Sequence, residues 1–179
     1  MTGAVVSVSV RSRHGVGKTP QPFIMLIAGQ GAAGDAHCGA MVRHRSRARA
    51  HPDLPNYRQI HLFNAELIET LNAAGFGLGP GALGENILVR GIDLLSLPAG
   101  TVLAIGATRL ALTGLRNPCV QLERLRPGLM QAVLDRDERG ALIRKCGVMA
   151  VVLTGGAVAP GAAIATEKPE PPWQPLEPV

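Results

Sequence analysis

Cys119 is the residue of this sequence whose surroundings best suit chemistry. It ends the segment Leu115–Cys119 (LRNPC), directly after a run predicted to be a strand. Pro118 disfavours helical geometry at Asn117 and so restricts the path of the chain into the cysteine. We therefore expect Cys119 in a loop or at a helix start, where backbone N–H groups and Arg116 favour the thiolate. A thiolate is both a nucleophile and a soft metal ligand. The alternative is a buried structural cysteine.

The other two cysteines have weaker surroundings. Cys146 precedes an apolar strand and is expected to pack in the core, and Cys38 stands between His37 and Gly39. Three cysteines without paired spacing favour free thiols in a reducing cytoplasm. The start of the chain has no basic region typical of a secretion signal, and no apolar run approaches the roughly 20 residues of a membrane helix. A cytoplasmic protein without a membrane partner is the expectation.

Two glycine-containing patterns resemble nucleotide motifs but lack their context. The segment His14–Thr19 (HGVGKT) needs a glycine six residues before Lys18, where Ser12 stands. Prolines at positions 20 and 22 also deny it the required helix. We interpret it as a basic turn between two strands. The G-x-G-x-x-G spacing of residues 79–84 precedes a strand rather than a helix, so these are interpreted as turn glycines.

Short apolar runs separated by turn residues predict a mainly β protein. Val6, Val8 and Val10 alternate with polar residues, the period of a strand with one buried face. Asn64 is a plausible N-cap for a helix over 65–74, which Gly75 ends. Weaker helical spacing covers 120–134. Further strands are predicted at residues 23–28, 59–63, 86–89, 101–105, 109–113, 148–153 and 162–165. About eight strands with two or three short helices favour a closed, barrel-like sheet.

The predicted domain covers residues 1–167, and a proline-rich tail follows at 168–179. Five prolines in those twelve residues predict disorder, because too little apolar surface is present to offset the cost of ordering. Deleting Glu170–Val179 should then change the melting temperature by no more than about 2 °C.

The charge of the chain indicates an anionic ligand. The net charge is +5, which fits either nucleic acid or a small anionic cofactor. Aromatic residues make up only 3% of the chain and offer few stacking platforms for bases. A nucleic-acid-binding barrel therefore remains the second hypothesis, which a filter-binding assay with salt titration would test.

Several segments resemble the MOSC domain, the module named after the C-terminal part of molybdenum cofactor sulfurases, and they occur in the same order along the chain as in that family. Gly34–Gly39 (GDAHCG) is similar to the family's G-D-x-H-x-G, and Pro80–Asn86 (PGALGEN) to its P-G-x-x-G-E-N. Pro118-Cys119 stands where the family carries its characteristic cysteine. The remaining matches are Arg58–Ile60, Gly91–Gly100, Gly147–Met149 and Gly156–Gly161. The resemblance covers roughly residues 5–166, and its main departure is Ala162 in place of a usual Asp.

The resemblance implies a β-barrel-like fold and a role with molybdenum cofactor (molybdopterin) or reactive sulfur. In such a site Cys119 would present sulfur or ligate molybdenum, and His37 with Asp35 would serve proton transfer. The basic run Arg43–Arg49 would add charge-assisted hydrogen bonds to the anionic cofactor. The cofactor-binding residues implied are Arg58, Glu85, Asn86 and Arg116. A redox or sulfur-donor protein is the implied partner.

The sequence leaves open whether the protein is a sulfur carrier or a component of a molybdenum-dependent reductase. Asp35, His37, Glu85 and Asn86 also have a purely structural alternative, since each stands in a turn. A zinc module built on His37, Cys38, Cys119 or Cys146 is a weaker hypothesis because no closely spaced ligand pair is present. A Ser-His-Asp hydrolase is weaker still, since the nucleophile-elbow motif is missing.

Overall fold

The described part of the chain contains thirteen strands and three short helices, joined by turns and loops. The structure is a computed structural model that describes residues 2–43, 49 and 53–179. The strands are β1 (Thr2–Val10), β2 (Thr19–Gln21), β3 (Ile24–Ile27), β4 (Gly31–Ala32), β5 (Ile60–Asn64), β6 (Ile87–Arg90), β7 (Val102–Ile105), β8 (Thr108–Leu115), β9 (Leu134–Arg136), β10 (Leu142–Arg144), β11 (Val148–Thr154), β12 (Gly156–Val158) and β13 (Ala163–Glu167). The helices are α1 (Ala65–Ala73), α2 (Val120–Leu125) and α3 (Leu129–Ala132), with a 3-10 turn at Leu94–Ser96.

Seven of these strands close into a barrel. The hydrogen-bonded order is β13-β7-β8-β11-β5-β6-β1, and β1 pairs again with β13 to complete the ring. Only the β5–β6 pair is parallel in this ring; the other pairs are antiparallel. Closure satisfies the backbone groups that an open edge would expose. The predicted mainly β, barrel-like fold with short helices is therefore confirmed.

The alternation of side chains along the strands builds the barrel interior. On β8, every second residue from Thr108 to Gly114 is buried and its neighbours are half-buried. The hairpin predicted between β7 and β8 forms around Gly106, whose φ of +56° suits a tight turn that disfavours other residues. Interior side chains from all seven strands join one apolar cluster, which contains Val8, Leu62 and Ile164.

A second apolar cluster lies on the outer surface of the barrel, beneath the helices. Ile60 and Leu62 of β5 point into the barrel, whereas Phe63 packs outward against Leu71 of α1 and Leu122 of α2. The buried residues of α1 therefore face the barrel. Because both faces of β5 are covered, this strand is buried along almost its whole length.

The predicted helix at 65–74 is present, but the predicted cap is wrong. The Asn64 side chain makes no capping hydrogen bond to α1. Its amide instead donates to the carbonyl oxygen of Ile92, which ties the β5–α1 junction to the segment after β6. Tertiary hydrogen bonding outweighs the local preference here. Within the described residues, no helix is long and apolar enough to cross a membrane.

The C-terminal segment packs along β8, which differs from the disordered tail that its composition predicts. Leu176 is 7% exposed and belongs to the barrel's apolar cluster. The Leu115 amide donates to the Glu177 carbonyl at 2.8 Å, and the Val179 amide donates to the Leu115 carbonyl at 3.2 Å. The buried side chain of Leu176 and the strand-like pairing with Leu115 order this segment despite its high proline content.

Replacing Leu176 with alanine should lower the melting temperature by about 4–10 °C, because truncating a buried leucine costs about 2–3 kcal/mol. Deleting Glu170–Val179 should lower it at least as much. Trp173→Ala is the matched control; Trp173 is 54% exposed, so the expected change is within about 2 °C. Thermal unfolding followed by circular dichroism measures all three variants. An unchanged melting temperature for Leu176→Ala would show that the tail does not contribute to the core.

Candidate functional site

A cavity of about 610 Å³ lies over the outer face of the barrel. His61 of β5 and Met149 of β11 stand opposite each other in the strand pairing, and both line it. Its walls come from the turn after β1 (residues 14–18), the loop carrying His37, the turn before β6, and the segment 116–122 from β8 into α2. Four segments distant in sequence thus meet at one concave surface.

The carboxylate of Asp35 lies behind one wall and is completely buried. Its Oδ2 accepts from Lys18 Nζ at 2.8 Å and from Asn86 Nδ2 at 3.2 Å. Its Oδ1 accepts from the His37 amide at 3.0 Å and lies 3.2 Å from His37 Nδ1. Burial opposes ionisation of this carboxyl, but the hydrogen bonds from His37 and the charge of Lys18 outweigh it and hold its pKa well below the usual range.

Glu85 supports Lys18 from a distance and does not line the cavity. Its two carboxylate oxygens accept from the backbone amides of Gly81 and Leu83. The carbonyl of Gly81 in turn accepts from the Lys18 amide at 2.8 Å. A side chain at Gly81 would overlap the Lys18 carbonyl, so glycine is required at this close approach. Burial raises the pKa of Glu85.

Asn86 lines the cavity while its side chain is engaged within the protein. Its Nδ2 donates to the Ser9 carbonyl as well as to Asp35, and its Oδ1 accepts from the His61 amide. These bonds join the strands β1 and β5 to the Asp35 loop at the start of β6. Asn86 and Glu85 thus position neighbouring parts of the chain through their hydrogen bonds.

Cationic side chains predominate around the cavity. Lys18, Arg49, Arg58 and Arg116 all line it. Arg116 donates to the Leu83 carbonyl at 2.9 Å and contacts Cys146 Sγ at 3.2 Å. Of the Arg-rich run predicted to assist ligand binding, residues 44–48 lie outside the described part of the chain. A cavity lined by these cations favours an anionic ligand.

Cys119 lines the cavity at the start of α2 and is partly exposed. Cys146 is completely buried in the outer apolar cluster, and burial raises the pKa of its thiol. Burial, followed by the Asp35 charge, also raises the pKa of Cys38. No disulfide joins these cysteines. Among the three thiols, Cys119 is the one that lines the cavity.

His61 is a site residue that the sequence did not single out. It is 4% exposed, and burial, together with the charge of Arg116, lowers its pKa well below the ordinary value. Its Nε2 donates to the Cys146 carbonyl at 2.9 Å, which leaves Nδ1 as the acceptor of a neutral ring. Within the described residues this buried Nδ1 has no hydrogen-bond partner. The sequence signal for this residue is a histidine within the otherwise apolar run of residues 60–63.

The structure brings most of the predicted site residues to one place. Five of the seven line the cavity; of the other two, Asp35 pairs with Lys18 and Glu85 is linked to Lys18 through the backbone of Gly81. The five are His37, Arg58, Asn86, Arg116 and Cys119. Lys18 is a site residue that the sequence did not predict, because its turn lacks the upstream glycine and the helix of a phosphate-binding loop. Its glycine-rich, basic composition indicated a ligand-facing turn of another kind.

Comparisons with known proteins agree with this fold. Residues 37–165 match the family model described as the MOSC domain. The crystal structure of YuaD from Bacillus subtilis is 24% identical and superposes with a TM-score of 0.77, covering 95% of this chain and 98% of that one. YiiM from Geobacillus stearothermophilus is 20% identical, with a TM-score of 0.65 and coverages of 93% and 75%. YiiM from Escherichia coli is 18% identical, with a TM-score of 0.59 and coverages of 96% and 73%. No curated protein matches.

Asp35→Asn should destabilise the protein by about 3 kcal/mol at neutral pH, because it leaves the buried Lys18 ammonium without its counter-charge. Adding Lys18→Met should recover part of the loss, since no unpaired charge then remains. The native carboxyl has a lowered pKa, so its contribution is present above the unfolded value of 3.8 and is lost as the pH falls through the native one. The difference between wild type and Asp35→Asn should therefore shrink below pH 3.8.

Urea unfolding across this pH range measures these effects. Asp53→Asn makes the same change at an exposed position and should leave stability within about 0.5 kcal/mol. An Asp35→Asn variant as stable as wild type at pH 7 would contradict the central role of this carboxylate.

Proposed function

The chain belongs to the MOSC domain family, and on this basis we propose that its cavity binds molybdenum cofactor, with Cys119 as the reactive thiol. The family is associated with this cofactor. The observation that carries the proposal is the meeting of Cys119 with Lys18, Arg58 and Arg116 around one cavity. A soft ligand and several phosphate-binding cations are the two features that such a cofactor requires.

The residues around the cavity fit the chemistry of this cofactor. Its phosphate and dithiolene are anionic and match the arginine and lysine side chains. The buried Nδ1 of His61 offers an acceptor for an N–H or O–H group of a bound ligand. Within the described residues, no group of three His, Cys, Asp or Glu side chains is placed to hold a metal ion. A metal bound here would thus arrive with its own ligands and take Cys119 as one more.

The two roles proposed for Cys119 use the same thiolate. Bound cofactor would supply two-electron redox chemistry at molybdenum, with Cys119 Sγ as a protein ligand. As a sulfur carrier, Cys119 would hold a persulfide, formed when its thiolate takes a sulfur atom from a donor persulfide and leaves the donor as a thiol. Partial exposure at the cavity wall suits approach of a redox or sulfur-donor protein.

His37 is proposed to exchange protons at the cavity. Because Asp35 is ionised, the His37 Nδ1 at 3.2 Å is oriented as a donor to it, and Nε2 is the ring atom that accepts or releases a proton. The ring of His14 packs edge-on against His37, with 5.0 Å between ring centres, and restricts its rotation. Asp35 would orient His37 while also holding Lys18. Free cysteines suit the reducing cytoplasm in which we place this chemistry.

Limiting iodoacetamide at pH 7 should label Cys119 about tenfold faster than either other cysteine, since thiolate fraction and access control the rate. Cys146 is completely buried and Cys38 has a raised pKa. Peptide mapping by mass spectrometry gives the three rates. Faster labelling of Cys38 or Cys146 would remove the basis for assigning Cys119 as the reactive thiol.

Purification from a host that makes molybdenum cofactor should yield protein containing molybdenum and pterin in equal amounts. Cys119→Ser should reduce the molybdenum content by about tenfold or more if the thiolate ligates the metal. Cys38→Ser is the matched control and should load like wild type. Metal analysis together with pterin fluorescence measures loading.

The same preparations separate the two roles. Cyanide-labile sulfur on a molybdenum-free protein, lost in Cys119→Ser, would identify a sulfur carrier. Absence of molybdenum, pterin and labile sulfur from wild type would refute both roles. Salt-dependent retention of nucleic acid on filters would then support the alternative that the net positive charge suggests.

A further inference from the structure

The C-terminal segment Gln174–Val179 lies against the chain next to one arginine of the cavity wall and contacts another. It pairs with β8 at Leu115, where the Leu115 amide donates to Glu177 and its carbonyl accepts from Val179. Leu115 and Pro178 also form a parallel β-bridge. Leu115 is the residue before Arg116, at the point where the chain leaves the barrel for Cys119. The segment therefore holds the base of the loop that carries both of these side chains.

The same segment also contacts Arg58 directly. Arg58 Nη1 donates to the Val179 main-chain oxygen at 3.2 Å. Arg58 lines the cavity and belongs to a different element, the approach to β5. A long arginine side chain has several rotamers, and ordering it costs free energy unless other contacts already select one. The bond to Val179 is a contact of this kind, made outside the ligand cavity.

We propose that Gln174–Val179 is a positioning segment that orients Arg58 and Arg116 for an anionic ligand. The proposal rests on the proposed function in taking the cavity as an anion site, and goes beyond it by assigning a role to the tail. Leu176 anchors the segment in the core, and the main-chain oxygen of Val179 accepts the hydrogen bond that orients Arg58. Displacing the segment should weaken anion binding although none of its residues lines the cavity.

Gly114 provides a way to displace the segment without shortening the chain. A Cβ at Gly114 would overlap the Glu177 carbonyl and a methyl group of Val179. Gly114 is not among the glycines with positive φ, so its backbone conformation accepts alanine. Gly114→Ala and deletion of Pro178–Val179 therefore perturb the same contacts by independent means. Trp173→Ala is the matched control, because the indole donates to the Pro169 carbonyl and packs against Lys168, both of which precede the segment Gln174–Val179.

The test measures binding of inorganic phosphate to the full chain by equilibrium dialysis, at a temperature well below every variant's melting point. Arg58→Ala should weaken phosphate binding. Gly114→Ala and the two-residue deletion should each weaken it by about fivefold, a size typical of coupling between contacting residues. Trp173→Ala should bind like wild type. In an Arg58→Ala background the deletion should have a clearly smaller effect, a non-additivity that general destabilisation would not produce.

Each outcome bears on the inference. If Arg58→Ala weakens binding but both tail variants bind like wild type, the positioning role is overturned and the anion site stands. If the deletion weakens binding equally with and without Arg58, the tail does not act through this arginine and the inference also fails. If wild type binds no phosphate, the anion cavity of the proposed function falls, and the tail has no ligand for which to position the arginines.

Discussion

The ion pair between Asp35 and Lys18 determines how the cavity wall is built. Both side chains are nearly or completely removed from solvent, at a desolvation cost that a single contact would not offset. The additional donors to Asp35, from His37 and Asn86, supply the remaining compensation. Because these donors come from separate segments, the electrostatic requirement of one carboxylate also fixes the relative positions of those segments. Removing one donor therefore affects the position of the others.

The closed barrel explains why such a site can form on its outside. β5 is covered on both faces, by the barrel interior and by the helices, and the cavity lies where the helical cover gives way to the segment containing Cys119. His61 and Phe63 alternate with the inward-facing Ile60 and Leu62 on this strand. Phe63 lies under the helices, whereas His61 lines the cavity. A period of two on one rigid strand thus separates the packing surface from the ligand-facing surface.

The sequence could predict the elements better than their contacts. Strand alternation, turn glycines and the two-residue hairpin at Gly106 are local signals, and the strands they predict are present. The Asn64 cap failed because its amide finds Ile92, a partner that only tertiary structure provides. For Lys18 and His61 the sequence carries only a local signal, a basic glycine-rich turn and a histidine within an apolar strand, and tertiary structure is needed to show that both line one cavity. The tail's packing depends on one residue, Leu176, which the proline content obscures.

The distribution of charge connects the site with the stability of the fold. Bringing Lys18, Arg58 and Arg116 around one cavity places like charges near each other, which opposes folding in the absence of a ligand. Asp35 compensates the charge of Lys18, whereas Arg116 donates to the neutral carbonyl oxygen of Leu83. Carbonyl acceptors orient an arginine without neutralising it. An anion of the kind proposed for the cavity would therefore reduce the repulsion among these three cations.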